Sequence, residues 1–341
     1  MIQAKLVSPE KLVLEYKEIP LPAIDEVIIK VKYAGLCGSD VHAYLGELPA
    51  VRFPVVPGHE FSGIVVATGK EVKRCKKGDR VVAEPFIPCG KCYNCKHALY
   101  YLCEELKIMG FQVDGAFRQY VTVHQERIHF IPQKLDLKVA AFTEPLAVAV
   151  HAVKEAKISP QDHILIMGAG TIGLLALQIA KSLGAEVIIT DLFDFKLNIA
   201  KNLGGDKTVN VSKTSIEDLF AHDFNEENVD VVLDCVGIPS DVAKLINMVR
   251  KGIKIISIGG ITGEKVEVPI GQITKKELKI MGSFLYTSQD FEQAMQYLNK
   301  GLIDVVPLIS HISPLDKIKE AYSLFIGDKR HTSKMLIDIG G

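Results

Sequence analysis

Residues 164–173 read ILIMGAGTIG, four apolar residues followed by Gly168, Gly170 and Gly173 in the spacing GxGxxG. A short apolar run of this kind fits a buried strand, and the run LLALQIA behind the glycines has helical character, so the stretch predicts strand, tight turn and helix. The three glycines serve different purposes, namely the turn itself, room for a pyrophosphate to approach the backbone, and close helix-to-strand packing. Thr171 and Ile172 then open the helix whose positive end would face the phosphates. The next strand, EVIIT, runs into Asp191, twenty-one residues after Gly170, where a carboxylate can accept hydrogen bonds from ribose hydroxyls. The competing reading is three packing glycines in an ordinary α/β sheet. Asp191 supports the dinucleotide, and it favours NAD over NADP, because a 2'-phosphate would meet its negative charge and no Arg follows in DLFDFK. Lys196 in that segment is a candidate contact for the adenosine end.

Outward from this loop the pattern divides in two. Strand-like HILIM, EVIIT, DKTVNV, VDVVLDCVG, IKIISIGG and LKIMGSF alternate with helical segments, which predicts a doubly wound parallel sheet with right-handed crossovers. Before about residue 131 short strands such as DEVIIKVKYAG and EFSGIVVATGK alternate with turns, an irregular β-rich region. After about residue 287 two amphipathic helices precede the strand SKMLIDI. A chain of 341 residues has room for two cores.

A net charge of −1, from forty basic and forty-one acidic side chains, provides no field to attract nucleic acid or an acidic membrane. The basic cluster Lys73, Arg74, Lys76, Lys77 and Arg80 is read as a solvated turn before a strand. The apolar stretch 164–180 is short for a bilayer and is interrupted by three glycines and Gln178. The beginning MIQAKLVSPEKL has no apolar core behind a basic tip, so a reducing cytoplasm is expected.

In that compartment CGKCYNCKHALYYLC, residues 89–103, reads as a metal site and not as disulfides. Cys89, Cys92, Cys95 and Cys103 are spaced C-x2-C-x2-C-x7-C, which suits a closed tetrahedral zinc. The opening also resembles a ferredoxin run, but that run continues x3-C-P whereas this one continues x7-C-E. A second donor set, Cys37 in GLCGSDVHAY with His59 and Glu60 in VVPGHEFSG, mixes sulfur, imidazole and oxygen, as catalytic zinc sites with an open position do.

CGSDVH, GHEFSG, the cysteine quartet, EPLAVAVHAV and GAGTIG together resemble, in order and spacing over essentially the whole chain, the zinc-containing medium-chain alcohol dehydrogenase/reductase family, and within it the polyol (sorbitol-type) branch. The resemblance implies a GroES-like catalytic domain, residues 1–147 and 288–341 with a structural-zinc lobe at about 85–105, around a Rossmann domain at 148–287. It implies two zinc ions per subunit and NAD(H). Cys37, His59 and Glu60 would hold the catalytic zinc, with Glu144 as ligand or holder of zinc-bound water. Only one of the two glutamates would bind directly at a time, since a second ionised carboxylate makes the site negative. The zinc would acidify a secondary alcohol, worth roughly 12 kcal/mol for a shift from about 16 to about 7, and hydride would pass to the nicotinamide. Ser39 and His42 would carry the proton out; the plain alternative is a turn serine and a surface histidine.

Where sorbitol-type enzymes carry Arg then Tyr, this chain has Leu285 then Tyr286. A leucine leaves polyol hydroxyls unpaired, so free sorbitol is expected to be a poor substrate compared with a shorter diol or a sugar alcohol anchored otherwise. Threonine or butanediol oxidation on the same scaffold is the rival within enzymes, and a silent NAD-binding regulatory protein the rival outside them. The resemblance also implies a homotetramer or homodimer with residues 254–284 as an interface, and a small-molecule alcohol or ketone as the partner.

Overall fold

The computed structural model describes residues 1–222, 229–259 and 265–340. Its residues divide into two compact units, Met1–Ala147 with Tyr286–Gly341, and Val148–Leu285.

The second unit is built on six strands, His163–Met167, Glu186–Asp191, Lys207–Asn210, Val231–Asp234, Lys254–Ser257 and Lys279–Gly282. Their spatial order is third, second, first, fourth, fifth, sixth, and every pair is parallel. This is the doubly wound sheet the alternation predicts. Ile164, Leu165 and Ile166 in the first strand are fully buried, which is why that strand reads as a continuous apolar run and occupies the middle. The order reverses between His163–Met167 and Val231–Asp234, and the glycine loop leaves the carboxyl end of the former, where sheets of this kind bind ligands. Gly260, the last residue of IKIISIGG, and residues 261–264 within the expected interface lie outside the described residues.

The first unit is organised by the eleven-residue strand Glu26–Leu36. Its first half pairs with Tyr120–His124, its whole length with Glu60–Thr68, and its last residues with Lys334–Asp338 near the end of the chain. That last antiparallel pairing is what returns the C-terminal segment to the N-terminal unit. An N-terminal hairpin, Ile2–Ser8 with Lys11–Tyr16, packs beside it; its first strand is missing from the strands read off the sequence.

Two local readings change. The helical spacing over residues 136–156 is two helices, Leu137–Ala140 and Thr143–Ala156. Pro145 lacks the N–H that a continuous helix would need there, and it is accepted in the first turn of the second helix, beside Glu144. Arg80 is not simply solvated, whereas Lys73, Arg74, Lys76 and Lys77 are exposed, with Arg74 paired to Glu126 at 3.1 Å. Half-buried Arg80 donates to the carbonyls of Pro132 and Gln133 at 3.1 and 2.6 Å and to that of Leu135. Among the described residues no helix is long and apolar enough to cross a membrane.

A side chain at Gly173 would begin 1.9 Å from the carbonyl oxygen of Gly168. Gly173→Ala is therefore expected to push the helix off the strand and destabilise the second unit by about 1–3 kcal/mol, the usual cost of overpacking, read as a lowered denaturant midpoint.

Candidate active site

The mixed donor set is assembled at the end of strand Glu26–Leu36. Cys37 caps the helix Gly38–Tyr44, and Asp40, the third residue of that helix, returns its carboxylate to the Cys37 N–H at 3.0 Å, one half of a capping box. Asp40 is fully buried; its other oxygen accepts from the Gly58 N–H at 3.1 Å and lies 3.5 Å from His59 Nδ1. One side chain thus ties the cysteine loop to the histidine segment. Donor atoms of Cys37, His59 and Glu60 all lie within 4.8 Å of one another.

Glu60 opens the strand Glu60–Thr68 directly opposite Gly35. A Cβ at Gly35 would fall 1.9 Å from Glu60 Oε2, so the carboxylate lies across the space a side chain would occupy. From the strand on the far side of Glu26–Leu36 Lys334 reaches back, its Nζ 2.8 and 2.6 Å from the two Glu60 oxygens and 3.4 Å from the Leu36 carbonyl. Both members of this pair are buried. Burial opposes the charge on Lys334, but Glu60, Cys37 and Glu144 together outweigh it and hold the ammonium's pKa above its ordinary value. Burial likewise pulls His59 down, and Asp40 with Cys37 more than reverses it. Glu144, in the first turn of its helix and buried, is pushed up to about 7 by burial and by Glu60, against the pull of His59.

The residues fit a metal. A thiol, an imidazole and a carboxylate converge, and Nδ1 of buried His59 has no hydrogen-bond partner while facing Asp40, which leaves Nε2 for coordination. Glu144 stands near enough to feel the charges of His59 and Glu60, but its oxygens are not among the donor atoms that lie within 4.8 Å of one another. Tyr286 is fully buried, its ring 4.9 Å from that of Phe86 and 5.5 Å from that of Phe291. Its hydroxyl has no hydrogen-bond partner and is influenced by the Glu144 carboxyl, which with burial holds the phenol well above its ordinary pKa. Leu285 is half-buried with φ of 53°, in the left-handed region. Ser39 and His42 lie three residues apart on one short helix, hence on one face, and His42 Nδ1 is 2.6 Å from Glu47 Oε2.

The sulfur quartet closes on itself, with all four Sγ atoms within 4.8 Å and no disulfide. The Cys89 N–H points to Cys103 Sγ at 3.2 Å and the Cys92 N–H to Cys89 Sγ at 3.4 Å. Backbone N–H groups from Cys95 and Glu104 draw Cys92 down to about 6, while burial and Cys92 push Cys95 up to about 12. Four thiols so placed cannot all ionise without a cation among them.

In the other unit Gly168 has φ of +93°, and Gly170 caps the helix Thr171–Ser182, whose first residues Thr171 and Ile172 are half-buried. Asp191 accepts from the Ala169 N–H at 2.9 Å and the Phe193 N–H at 3.0 Å, which fixes its carboxylate beside the loop. Lys196 Nζ lies 5.4 Å over the Phe193 ring. Sequence reasoning missed Asp40 and Lys334. Asp40 had a signal, its capping-box distance from Cys37; Lys334, a lone lysine opening an apolar strand 274 residues from Glu60, had none.

Residues 23–133 match the alcohol dehydrogenase GroES-like domain and residues 171–300 the zinc-binding dehydrogenase family. The chain belongs to the zinc-containing medium-chain alcohol dehydrogenase/reductase family, and is an oxidoreductase. It is 37% identical over 312 residues to a sorbitol dehydrogenase of Halalkalibacterium halodurans, covering 91% of each chain. It is 38% identical over 308 residues to the D-arabitol-phosphate dehydrogenase of Enterococcus avium, covering 89% of this chain and 88% of that one. Among solved structures it is similar to an Escherichia coli alcohol dehydrogenase complexed with NADH, with a TM-score of 0.94 at 33% identity over 99% of both chains.

Removing one partner of a buried ion pair leaves the other charge uncompensated. Lys334→Met should therefore cost the metal-free protein about 3–5 kcal/mol, and added zinc should recover more of that loss than it adds to the parent protein, as read by denaturant titration. A carboxyl whose folded pKa is raised to about 7 stabilises fully below its ordinary value of 4.5, and that contribution is lost as pH rises through about 7. The stability of the metal-free protein relative to Glu144→Gln should accordingly fall from about pH 4.5 to about pH 7 and level off above; a flat difference would show that Glu144 ionises freely.

Proposed function

We propose that this chain is a zinc- and NAD-dependent polyol dehydrogenase, oxidising a secondary hydroxyl of a sugar alcohol or its phosphate to a ketone. The observation that carries this reading is the convergence of Cys37, His59 and Glu60, with Glu144 beside them, in a chain that also holds the glycine loop and Asp191. The sorbitol and arabitol-phosphate specificities of its relatives support the substrate class, and the relative complexed with NADH supports the cofactor. When bound, the zinc draws electron density from the alcohol oxygen and the dinucleotide accepts hydride.

The chain's own residues set the conditions for that chemistry. Asp40 keeps its negative charge 3.5 Å from His59 Nδ1, on the side of the ring away from coordination through Nε2. Lys334 neutralises Glu60, so Cys37 thiolate and one further carboxylate, Glu144, balance a divalent ion, and Glu60 is the alternate ligand when it leaves the lysine. Without a metal the raised pKa of Glu144 lets its carboxyl hold a proton near neutral pH, and a bound divalent ion would take it as the carboxylate. His42, anchored through Nδ1 to Glu47, has Nε2 free to take a proton from the direction of Ser39. Cys89, Cys92, Cys95 and Cys103 hold a second, structural zinc. Asp191 receives the ribose hydroxyls, with Gly168, Gly170, Thr171, Ile172 and Gly173 around the pyrophosphate and Lys196 nearby. Leu285 and Tyr286 border the substrate, and Leu285 disfavours free sorbitol. The enzyme acts in the cytoplasm as a homodimer or homotetramer, joined at the outer edge of Lys279–Gly282, which has no strand partner on that side among the described residues.

Initial rates with NAD and NADP across sorbitol, xylitol, arabitol phosphate, butanediol and threonine, on protein carrying two zinc ions, test the reading. NAD-linked turnover of a polyol or its phosphate is expected to exceed that of butanediol and threonine at least tenfold, and a mild chelator should abolish it while one zinc remains. Preference for threonine or butanediol, or no turnover with any of the five, would overturn it.

A further inference from the structure

A second buried charged cluster lies outside the metal site. Glu84, fully buried, accepts from the Tyr100 hydroxyl at 2.6 Å, from Arg127 at 3.2 Å and from His129 Nε2 at 2.8 Å. Tyr100 belongs to the cysteine lobe, between Cys95 and Cys103, and the Arg127 guanidinium stands 4.3 Å over its ring. A buried carboxylate in need of partners is a costly group, and here its donors come from two separate segments, the cysteine lobe and the stretch that carries Arg127 and His129. It therefore serves as a knot that keeps the lobe in one place.

The contacts continue beyond the knot. The His129 ring lies 4.6 Å from that of Phe291, and Phe86, two residues after Glu84, lies 4.9 Å from Tyr286. Tyr286 thus packs against the rings of both Phe291 and Phe86. The Tyr286 hydroxyl feels the Glu144 carboxyl but has no hydrogen bond of good geometry, so how closely the two approach depends on where the neighbouring rings hold the phenol. The geometry points to Tyr100 and Glu84 as positioning residues of the active site: through His129, Phe86 and Phe291 they set where Tyr286 stands against Glu144. This extends the proposed dehydrogenase reading and rests on it for its kinetic consequence, though not for the structural link.

The test is Tyr100→Phe, which removes the hydrogen bond and keeps the ring under Arg127, with His129→Gln as a second variant that cuts the next link. Tyrosines are labelled as 3-fluorotyrosine, and the fluorine resonance of Tyr286 is assigned by its loss in Tyr286→Phe. Both variants should move that resonance by more than its linewidth while retaining two zinc ions. Both should lower kcat at least fivefold with KM for NAD unchanged. In a Tyr286→Phe background the Tyr100→Phe change should cost less than a further twofold, because coupled residues are not additive. An unmoved resonance in both variants, or a full fivefold loss that persists without the Tyr286 hydroxyl, would overturn the link. If no alcohol is turned over, the dehydrogenase reading fails while the resonance still decides whether Tyr100 positions Tyr286.

Discussion

A carboxylate and an ammonium meet inside the first unit, and much else follows from their meeting. Glu60 and Lys334 are 2.6 Å apart, buried, and separated by 274 residues of sequence. Such a pair adds little net stability against the cost of removing both charges from water. It does impose geometry: the C-terminal strand must lie beside Glu26–Leu36, position 35 must be glycine so that the carboxylate can cross, and the charge of Glu60 is cancelled at the edge of the donor set. A metal site with a thiol, an imidazole and two acids becomes electrically balanced only because the lysine is there.

The two halves of the chemistry are held by different physical means. At the glycine loop the groups presented to a ligand are backbone N–H donors and a helix terminus, so the sequence requirement is for glycine, and Asp191 is fixed by two further backbone N–H groups. At the donor set the groups are side chains, each held by its surroundings: Asp40 beside Cys37 and His59, Lys334 on Glu60, and Glu144 kept protonated by burial and Glu60 against the pull of His59. The first arrangement tolerates varied neighbours. The second is a network in which a change at one residue shifts the others.

The cysteine lobe illustrates how a structural element can bear on a distant site. Its four sulfur atoms leave no open position once a zinc is bound, so its own chemistry ends there. Yet Tyr100, carried between the third and fourth cysteines, is one of three donors to Glu84, and from that carboxylate a run of aromatic contacts reaches the tyrosine beside Glu144.

Several features were written locally in the sequence. The strand and glycines of 164–173, the C-x2-C-x2-C-x7-C spacing, and the short motifs around Cys37 and His59 all lie within about fifteen residues, because tight turns and neighbouring ligands impose fixed spacings on the chain. The parallel sheet was readable for the same reason: buried strands alternate with amphipathic helices over short periods. The break before Thr143 required Pro145 to be weighed against helical periodicity. What only the tertiary structure decided are the contacts between segments far apart in sequence: Lys334 against Glu60, Asp40 shared between Cys37 and His59, and Tyr286 packed against Phe86 and Phe291 with its hydroxyl near Glu144. A lone lysine at the start of a strand carries no mark of its partner, since pairing across a sheet depends on register and strand order, and these are settled by packing of the whole unit.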